Sequence, residues 1–259
     1  MAIKLDVKNP RTGEVDYHID GLTAAEVAAA AVRARAAQKA WLSGGLTARG
    51  QAMTRFADIA EKHMDAIVSA LSIDTGRRKI ARDEVSGFIG MIRGWVIQAP
   101  MLMPGSEWQQ GRMKPNFKHS QTYVPYSLVG VISPWNFPLA IFMGQVTAAL
   151  AAGNSVLAKP ADSTCIIAAK AIGLMAGCGF PQDLVQLIIT PGSTVGEHLL
   201  PDERVAAVMF TGSTGVGTWI SRKLAERPGP RIPLIAETGG QNCLLVDSTA
   251  LPEQVVDDV

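Results

Sequence analysis

The chain has 259 residues, of which 47% are hydrophobic and 18% are charged, and its formal net charge is +1. These values are typical of a folded protein with a large core and exclude a disordered chain. A nearly neutral chain without runs of lysine or arginine gives no support to nucleic-acid or membrane binding, so small molecules and other proteins remain as partners.

The cysteines indicate a reducing compartment. Three of them, Cys165, Cys178 and Cys243, cannot all pair in disulfides, and none lies in a CxxC motif. The longest apolar stretch, residues 139–152, is interrupted by a glycine and a glutamine and is too short to cross a bilayer. The start of the chain lacks a signal-peptide pattern, so we expect a cytoplasmic protein.

The chain is predicted to begin with two short extended pieces and a helix. The extended pieces, residues 3–7 and 15–19, flank a turn with the sequence NPRTGE. Thr23 and Glu26 have the spacing of a capping box, which predicts a helix start. The alanine-rich segment that follows continues the helix to Trp41.

Two longer helices are predicted next, over residues 47–73 and 77–98, because apolar side chains recur at helical spacing and Pro100 closes the second range. With the first helix they would form an N-terminal helical layer. His63 lies on the apolar stripe of residues 47–73, as a packed or half-exposed side chain. No second ligand is spaced with it, so no metal site is expected.

An extended arm is predicted between this layer and the rest of the chain. A polar, basic stretch over residues 111–121 leads into residues 122–126, which read as an exposed or edge strand because Pro125 cannot donate a hydrogen bond to a sheet. An extended segment outside a helical layer usually pairs with something. Two interpretations stay open, an arm for self-association and a simple surface hairpin.

From residue 128 onward, strands alternate with helices, which predicts an α/β fold with a doubly wound parallel sheet. The first unit is a strand over residues 128–132, a helix over 139–151 and a strand over 155–158. Further strands are predicted over residues 184–189, 205–210, 232–236 and 243–246, with helices over 164–175 and 195–200, between Gly217 and about Glu226, and from Pro252 onward. In such folds the loops at the carboxyl ends of the strands bind ligands.

The first of these strand ends carries an unusual polar group. Asn136 stands in a turn between two aromatic side chains and two prolines, and a carboxamide in rigid, largely apolar surroundings needs hydrogen-bond partners. Its NH2 group could stabilise an oxyanion. It could also cap the helix that follows, and the turn alone leaves both interpretations open.

Two later strand ends carry groups suited to a dinucleotide. Lys159 and Asp162 could hold the hydroxyls of a ribose, and the carboxylate would repel a 2′-phosphate, which favours NAD over NADP. A surface ion pair is the simpler interpretation. The loop from Gly212 to Gly217 follows a strand and opens a helix, as a phosphate-binding loop does, although its spacing fits neither GxGxxG nor a Walker loop. A tight turn without a ligand explains this loop nearly as well.

Glu237 closes the strand predicted over residues 232–236 and precedes two glycines. Its side chain is expected at the same mouth as Asn136 and Gly212, beside apolar walls. There it could act as a general base that activates water. A structural carboxylate bonded to nearby backbone amides is the other interpretation.

Taken in order, the segments ISPWNFP, LAKPAD, MFTGSTGVG and IAETGGQN resemble the motifs of the aldehyde dehydrogenase superfamily. The segment IPLIAETGGQN followed by LLVDSTALPEQVV is most similar to the branch that oxidises glutamate γ-semialdehyde. This branch contains the 1-pyrroline-5-carboxylate dehydrogenases and the corresponding domain of bifunctional proline-utilisation proteins. The NPRTGEV turn adds to the resemblance, which covers nearly the whole chain.

The resemblance implies NAD-dependent oxidation of an aldehyde by thiolate attack, hydride transfer and hydrolysis. It makes Asn136 the side-chain half of an oxyanion hole and Glu237 the base that activates the hydrolytic water. The positions implied to contact NAD are Ile132, Ser133 and Trp135 after the first strand, Lys159 and Asp162 at the adenosine ribose, Gly192 at the adenine, Gly212, Ser213 and Gly217 at the pyrophosphate, and Thr238 and Gly239 at the nicotinamide. Family members often have glutamate at the position of Asp162.

The resemblance also implies that this is a truncated family member. The family's nucleophilic cysteine follows the glutamate at a distance that, counted from Glu237, lies past Val259. We therefore expect residues 1–259 to form one NAD-binding domain, with helices over 1–110 and an arm over about 111–127, and the catalytic domain to be absent after 259. The chain alone is expected to be inactive, and the intact protein to form homo-oligomers.

Two alternatives to an enzyme fragment stay open. One is a non-catalytic NAD-binding or assembly module that acts with a partner chain. The other is a decaying gene product that never folds stably, because a domain face would lack its cover.

Overall fold

The fold combines an N-terminal helical layer with a parallel sheet, and the computed structural model describes it over residues 3–104, 109–110 and 118–258. The N-terminal elements are the antiparallel strands β1 (Ile3–Lys8) and β2 (Val15–Gly21) and the helices α1 (Ala24–Ser43), α2 (Gly45–Lys62), α3 (Met64–Thr75) and α4 (Ala81–Leu102). The capping box at the start of α1 is present, because the Thr23 hydroxyl accepts a hydrogen bond from the Glu26 amide and the Glu26 carboxylate accepts one from the Thr23 amide.

The prediction of one helix over residues 47–73 is wrong. The backbone turns at His63, which is exposed and separates α2 from α3. This turn lets Phe56 of α2 and Ile67 of α3 reach the same core, where neither side chain keeps any exposed surface. Burial of both apolar faces explains why the bend is favoured over a straight helix.

The helix predicted over residues 77–98 is displaced toward the C-terminus. It begins at Ala81 and continues through Pro100, which lies in the last turn, where only one intrahelical hydrogen bond is lost. Among the helices of the described ranges, α4 alone is long and apolar enough to cross a membrane. A helix in the core of a soluble protein can have the same length and composition, so α4 is weak support for a membrane span. Phe88 and Ile92 of this helix are fully buried in the core.

The second half of the chain forms the sheet and the helices that cover it. The elements are β3 (Gln109–Gln110), β4 (Lys118–His119), β5 (Leu128–Ile132), α5 (Ala140–Ala151), β6 (Ser155–Lys159), α6 (Cys165–Gly173), β7 (Val185–Leu187), α7 (Gly192–Thr194, continued by a π-helical turn, Val195–Leu199), β8 (Ala207–Thr211), α8 (Thr214–Ala225), β9 (Leu234–Glu237) and α9 (Pro252–Asp258). Five strands lie in the order β7–β6–β5–β8–β9, and all neighbours are parallel. This order confirms the predicted doubly wound parallel sheet.

Both faces of the central strands β5, β6 and β8 are covered, which explains why these strands are apolar on both sides, whereas edge strand β9 is largely exposed. Val129 and Val131 of β5 face a core shared with the helical layer and with α5 and α6. Leu128 and Val208 face a second core, formed with α1, α7 and α8. The prediction of one helical layer is therefore wrong for α1, which lies mainly on the face of the sheet opposite α2, α3 and α4. Successive strand side chains point to opposite faces, so one short apolar strand serves both cores.

The strands predicted over residues 122–126 and 243–246 are wrong. Residues 122–126 are irregular and largely exposed, and most of the basic stretch before them, residues 111–117, lies outside the described residues. Residues 243–246 are also irregular, with Leu245 90% exposed, and Cys243 is exposed rather than held in a strand. Within the described ranges neither segment pairs with a strand, so no ladder of backbone hydrogen bonds holds it extended.

Candidate functional site

The carboxyl ends of four strands lie side by side at one edge of the sheet. Ile132 of β5 pairs with Lys159 of β6 on one side and with Phe210 of β8 on the other, while Thr211 of β8 pairs with Glu237 of β9. Neighbouring strands lie about 4.8 Å apart, so these four ends span roughly 15 Å. The turns that carry the predicted site residues therefore begin at one edge. Because β6 and β8 flank β5 on opposite sides, this edge includes the point where the strand order reverses.

In the turn after β5, Ser133 is held at the sheet by hydrogen bonds, whereas Asn136 is exposed to solvent. Ser133 is buried, its amide donates to the Lys159 carbonyl over 3.0 Å, and its hydroxyl donates to Gln145 Oε1 over 3.0 Å. Trp135 is 70% exposed, and Asn136 is exposed beside it. In the part of the chain that the structure describes, the Asn136 carboxamide forms no hydrogen bond. It is therefore available to a ligand.

Asn136 does not cap the helix that follows it. The N-cap position of α5 is Leu139, which makes no side-chain cap. The amides of Leu139 and Ala140 instead donate to Oε1 of Glu84, over 3.0 and 3.1 Å. The sequence contained no signal for this contact, because Glu84 lies 55 residues before Leu139 and resembles an ordinary acidic residue of a first helical turn.

Gln145 joins two of the strand ends and is a site residue that the motifs did not predict. Its Oε1 accepts from the Ser133 hydroxyl, and its Nε2 donates to the Thr211 hydroxyl over 2.8 Å. The ends of β5 and β8 are thus tied through a side chain of α5. The sequence did contain a signal for these contacts. Gln145 lies in a largely apolar helix, and a polar side chain there needs hydrogen-bond partners inside the protein.

Lys159 and Asp162 form an ion pair at the end of β6. The Lys159 ammonium lies 2.6 Å from Asp162 Oδ1 and also donates to the Pro160 carbonyl over 2.9 Å. The Lys159 side chain is 8% exposed, whereas that of Asp162 is 50% exposed. The ammonium is therefore held in place while the carboxylate faces solvent. This arrangement suits a ribose diol, and the predicted contact of both residues with NAD stays a prediction.

The predicted phosphate loop is shorter than the sequence indicated, because α8 already begins at Thr214. Only Gly212 and Ser213 precede it, and the Ser213 hydroxyl caps the helix by accepting from the Val216 amide over 3.3 Å. The first-turn amides of a helix have no intrahelical partner, and Thr214 and Gly215 are exposed. The start of α8 therefore fits an anion such as a pyrophosphate.

The segment after β9 packs closely against α8. A Cβ atom on the buried Gly217 would lie 2.9 Å from Thr238 Cγ2, and one on Gly239 would lie 3.5 Å from the Thr214 hydroxyl. The Glu237 carbonyl accepts from the Gly212 amide over 3.1 Å. The Glu237 side chain is exposed, so the expectation of apolar walls around it is wrong for this chain. Among the strands of the described residues, edge strand β9 pairs with β8 alone, on one of its two sides.

Gly192 opens α7 after strand β7, on the far side of β6 from Glu237. It is exposed, and a Cβ added to it would meet no atom within 4 Å. The structure thus places the predicted residues along one edge in the order Gly192, Lys159, the Asn136 turn, Ser213 and Glu237. Within the described ranges no three His, Cys, Asp or Glu residues group as a metal site would require.

The fold and this edge define a doubly wound α/β domain with its ligand site at the reversal of strand order. The family model for the aldehyde dehydrogenase family matches residues 2–259. The chain belongs to the aldehyde dehydrogenase family, which confirms the resemblance read from the motifs.

Three similar proteins place the chain within that family. The bifunctional protein PutA of Escherichia coli is 55% identical over 152 residues, which are 58% of this chain and 11% of that protein. A crystal structure of proline utilization A from Bradyrhizobium japonicum matches with a TM-score of 0.85 and 38% identity, over 92% of this chain and 24% of the other. The NADP-dependent glyceraldehyde-3-phosphate dehydrogenase of Bacillus halodurans, solved with NADP, matches with a TM-score of 0.81 and 28% identity, over 92% of this chain and 50% of the other. The chain therefore spans at most half the length of these relatives.

Proposed function

We propose that this chain binds NAD and supplies Asn136 and Glu237 to the oxidation of a semialdehyde to a carboxylic acid. The observation that carries the proposal is the alignment of four strand ends at one edge, which brings the turns of Asn136, Lys159, Ser213 and Glu237 to one side of the sheet. Similarity to proteins named PutA and proline utilization A supports glutamate γ-semialdehyde as the aldehyde and a role in proline metabolism.

The residues at this edge fit a dinucleotide. The exposed first-turn amides of α8 would hold the pyrophosphate, and the close approach of Gly217 to Thr238 keeps that helix end next to the end of β9. Lys159 and Asp162 would hold the adenosine ribose, and Ile132, Ser133, Trp135, Gly192 and Gly239 would line the remainder. When bound, NAD would accept the hydride from the aldehyde carbon.

The two proposed active-site groups act on oxygen atoms. The Asn136 NH2 group would donate a hydrogen bond to the aldehyde oxygen as negative charge develops there, and such a donor contributes about 3 kcal/mol to transition-state stabilisation. The Glu237 carboxylate would accept a proton from the attacking water in the hydrolytic step. Asn136 is exposed and free of other hydrogen bonds in the described residues, as this role requires.

The chain by itself is proposed to be inactive, because none of its cysteines is placed as a thiolate nucleophile. Cys165 and Cys178 are buried. Burial raises the pKa of the Cys165 thiol to about 12, with a further contribution from Asp162, and burial also raises the pKa of Cys178. Cys243 lies in the irregular segment after β9. Thiols that stay protonated at neutral pH are poor nucleophiles.

The proposal is tested by titrating the purified 259-residue chain with NAD while following tryptophan fluorescence, and by an aldehyde-dependent NADH assay on the same sample. We expect saturable NAD binding without turnover. Lys159→Ala should weaken binding about tenfold, which corresponds to about 1.4 kcal/mol. Lys170→Ala, at an exposed lysine of α6, is the matched control and should bind as the wild type. Absence of NAD binding would overturn the proposed site, and turnover above background would overturn the proposed inactivity.

Asp162 is proposed to select NAD over NADP by repelling the 2′-phosphate. Asp162→Asn is expected to lower the ratio of NAD to NADP affinity about tenfold, because the repulsive charge is removed while an oxygen remains for the ribose. The two dissociation constants are measured by isothermal titration calorimetry. Asp257→Asn, which removes an exposed carboxylate of α9, should leave the ratio unchanged. An unaltered ratio in the Asp162 variant would contradict this role.

An assembly role with a partner chain is the second candidate, and exposed apolar side chains favour it. Ile235 on edge strand β9 is 49% exposed, and Leu245 and Val256 beyond it are 90% and 76% exposed. Large apolar side chains exposed in this number are typical of protein interfaces. Light scattering separates the candidates, since Ile235→Lys with Leu245→Lys should reduce association if a partner or a second copy covers this surface. An unchanged mass at every concentration would argue against it.

A cytoplasmic location is proposed from the thiols. All three cysteines are free, and two of them lie in the core. Thiols without disulfide partners fit a reducing compartment.

A further inference from the structure

Glu84 carries a buried carboxylate that belongs neither to the predicted site residues nor to the proposed reaction. It belongs to the first turn of α4 in the helical layer, and its side chain has no exposed surface. A buried charge is costly unless it is paired and hydrogen-bonded. Glu84 meets both conditions, because Oε2 accepts from Arg77 Nη2 over 2.8 Å while Oε1 accepts the two amides at the start of α5.

Glu84 holds the turn that carries Asn136 in two ways, directly through two amides and indirectly through Arg77. The amides of Leu139 and Ala140 lie at the C-terminal end of the turn, so Glu84 anchors that end. The guanidinium of Arg77, itself held by Glu84, lies 4.9 Å from the ring centre of Phe137, the residue next to Asn136. A cation over an aromatic face is attracted to it, so this contact holds the middle of the turn.

The other end of the turn is anchored independently. Ser133 is tied to Lys159 and Gln145 at the sheet, and Trp135 and Asn136 between the two anchors are exposed. A short turn with two fixed ends has few available conformations. We infer that Glu84 is a positioning residue that, with Arg77, fixes the direction of the Asn136 carboxamide. This inference rests on the proposed role of Asn136.

Trp135 next to Asn136 offers a direct readout of the turn. The chain has five tryptophans, so fluorine NMR of fluorotryptophan-labelled protein should give a signal for each, and Trp135→Phe assigns the relevant one. We expect Glu84→Ala to shift and sharpen the Trp135 signal and to weaken NAD binding about tenfold. Glu84→Gln keeps an acceptor oxygen for the two amides but turns an NH2 group toward Arg77, so it should move the Trp135 signal less than Glu84→Ala does.

Two controls separate positioning from general stabilisation. Asp74 makes the corresponding contact at α6, where its Oδ2 accepts from the Ile167 amide over 2.8 Å, so Asp74→Ala should lower the melting temperature without moving the Trp135 signal. Trp41 donates to the Leu150 carbonyl over 2.8 Å near the other end of α5, and its signal should stay in place in Glu84→Ala.

The inference is overturned if Glu84→Ala lowers the melting temperature while the Trp135 signal stays in place, or if Asp74→Ala moves that signal equally. If Glu84→Ala does not fold, the Trp135 signals of Glu84→Gln and Arg77→Met are compared instead. Loss of the Phe137 contact must then move the Trp135 signal, and an unmoved signal contradicts the inference. A Trp135 signal that responds as expected in a chain that binds no NAD would instead refute the proposed function alone.

Discussion

Replacing Gly217 with valine is expected to weaken NAD binding by roughly tenfold to a hundredfold. A Cβ atom at this position would lie 2.9 Å from Thr238 Cγ2 and 3.3 Å from the Phe210 ring, and the two methyl groups of valine would press further, so we expect α8 to be pushed away from the end of β9. Overpacking of this kind costs about 1–3 kcal/mol, and displacement of α8 also displaces the amides proposed to hold the pyrophosphate. Isothermal titration calorimetry with NAD measures the change.

The matched control places the same side chain where it meets nothing. A Cβ atom added to Gly87 in α4 would meet no atom within 4 Å, so Gly87→Val should bind NAD as the wild type does. Gly217→Ala, a smaller change, should give an intermediate loss. Circular dichroism of all three variants shows whether each is folded. Wild-type affinity in a folded Gly217→Val chain would contradict the proposed contact between α8 and the dinucleotide.

Replacing Phe56 with alanine is expected to lower the free energy of unfolding by about 3–5 kcal/mol. The Phe56 side chain has no exposed surface and lies in the core that the helical layer shares with the sheet. Its ring centre lies 5.7 Å from that of Phe88 in α4 and 6.0 Å from that of Phe180, which follows α6, with an edge-to-face arrangement in each pair. Urea unfolding followed by circular dichroism measures the loss.

Ile97→Ala provides the control for that experiment. Ile97 lies in α4 of the same helical layer but is 66% exposed, so its truncation leaves no cavity. Its effect on the free energy of unfolding should stay within about 0.5 kcal/mol. Equal losses for the two variants would show that the helical layer and the sheet do not share the core described above.

The sequence alone determined the class of fold and the positions of the candidate site residues. Short apolar runs followed within two residues by glycine or proline are local signals, and they predicted the strands that precede Asn136, Lys159 and Gly212. Alternation of strands with helices then predicted a parallel sheet, in which carboxyl ends share an edge by topology. The order of the motifs can also be seen in the sequence alone, so it identified the family without the structure.

The tertiary structure decided which distant groups meet. Strands predicted over residues 122–126 and 243–246 did not form, because a strand needs a neighbour to complete its hydrogen bonds, and local sequence does not supply one. The contacts of Glu84 with α5 and of Gln145 with two strand ends also could not be predicted from the sequence. A local pattern shows which face of an element is apolar, whereas the partner of a buried polar group is set by packing between segments far apart in the chain.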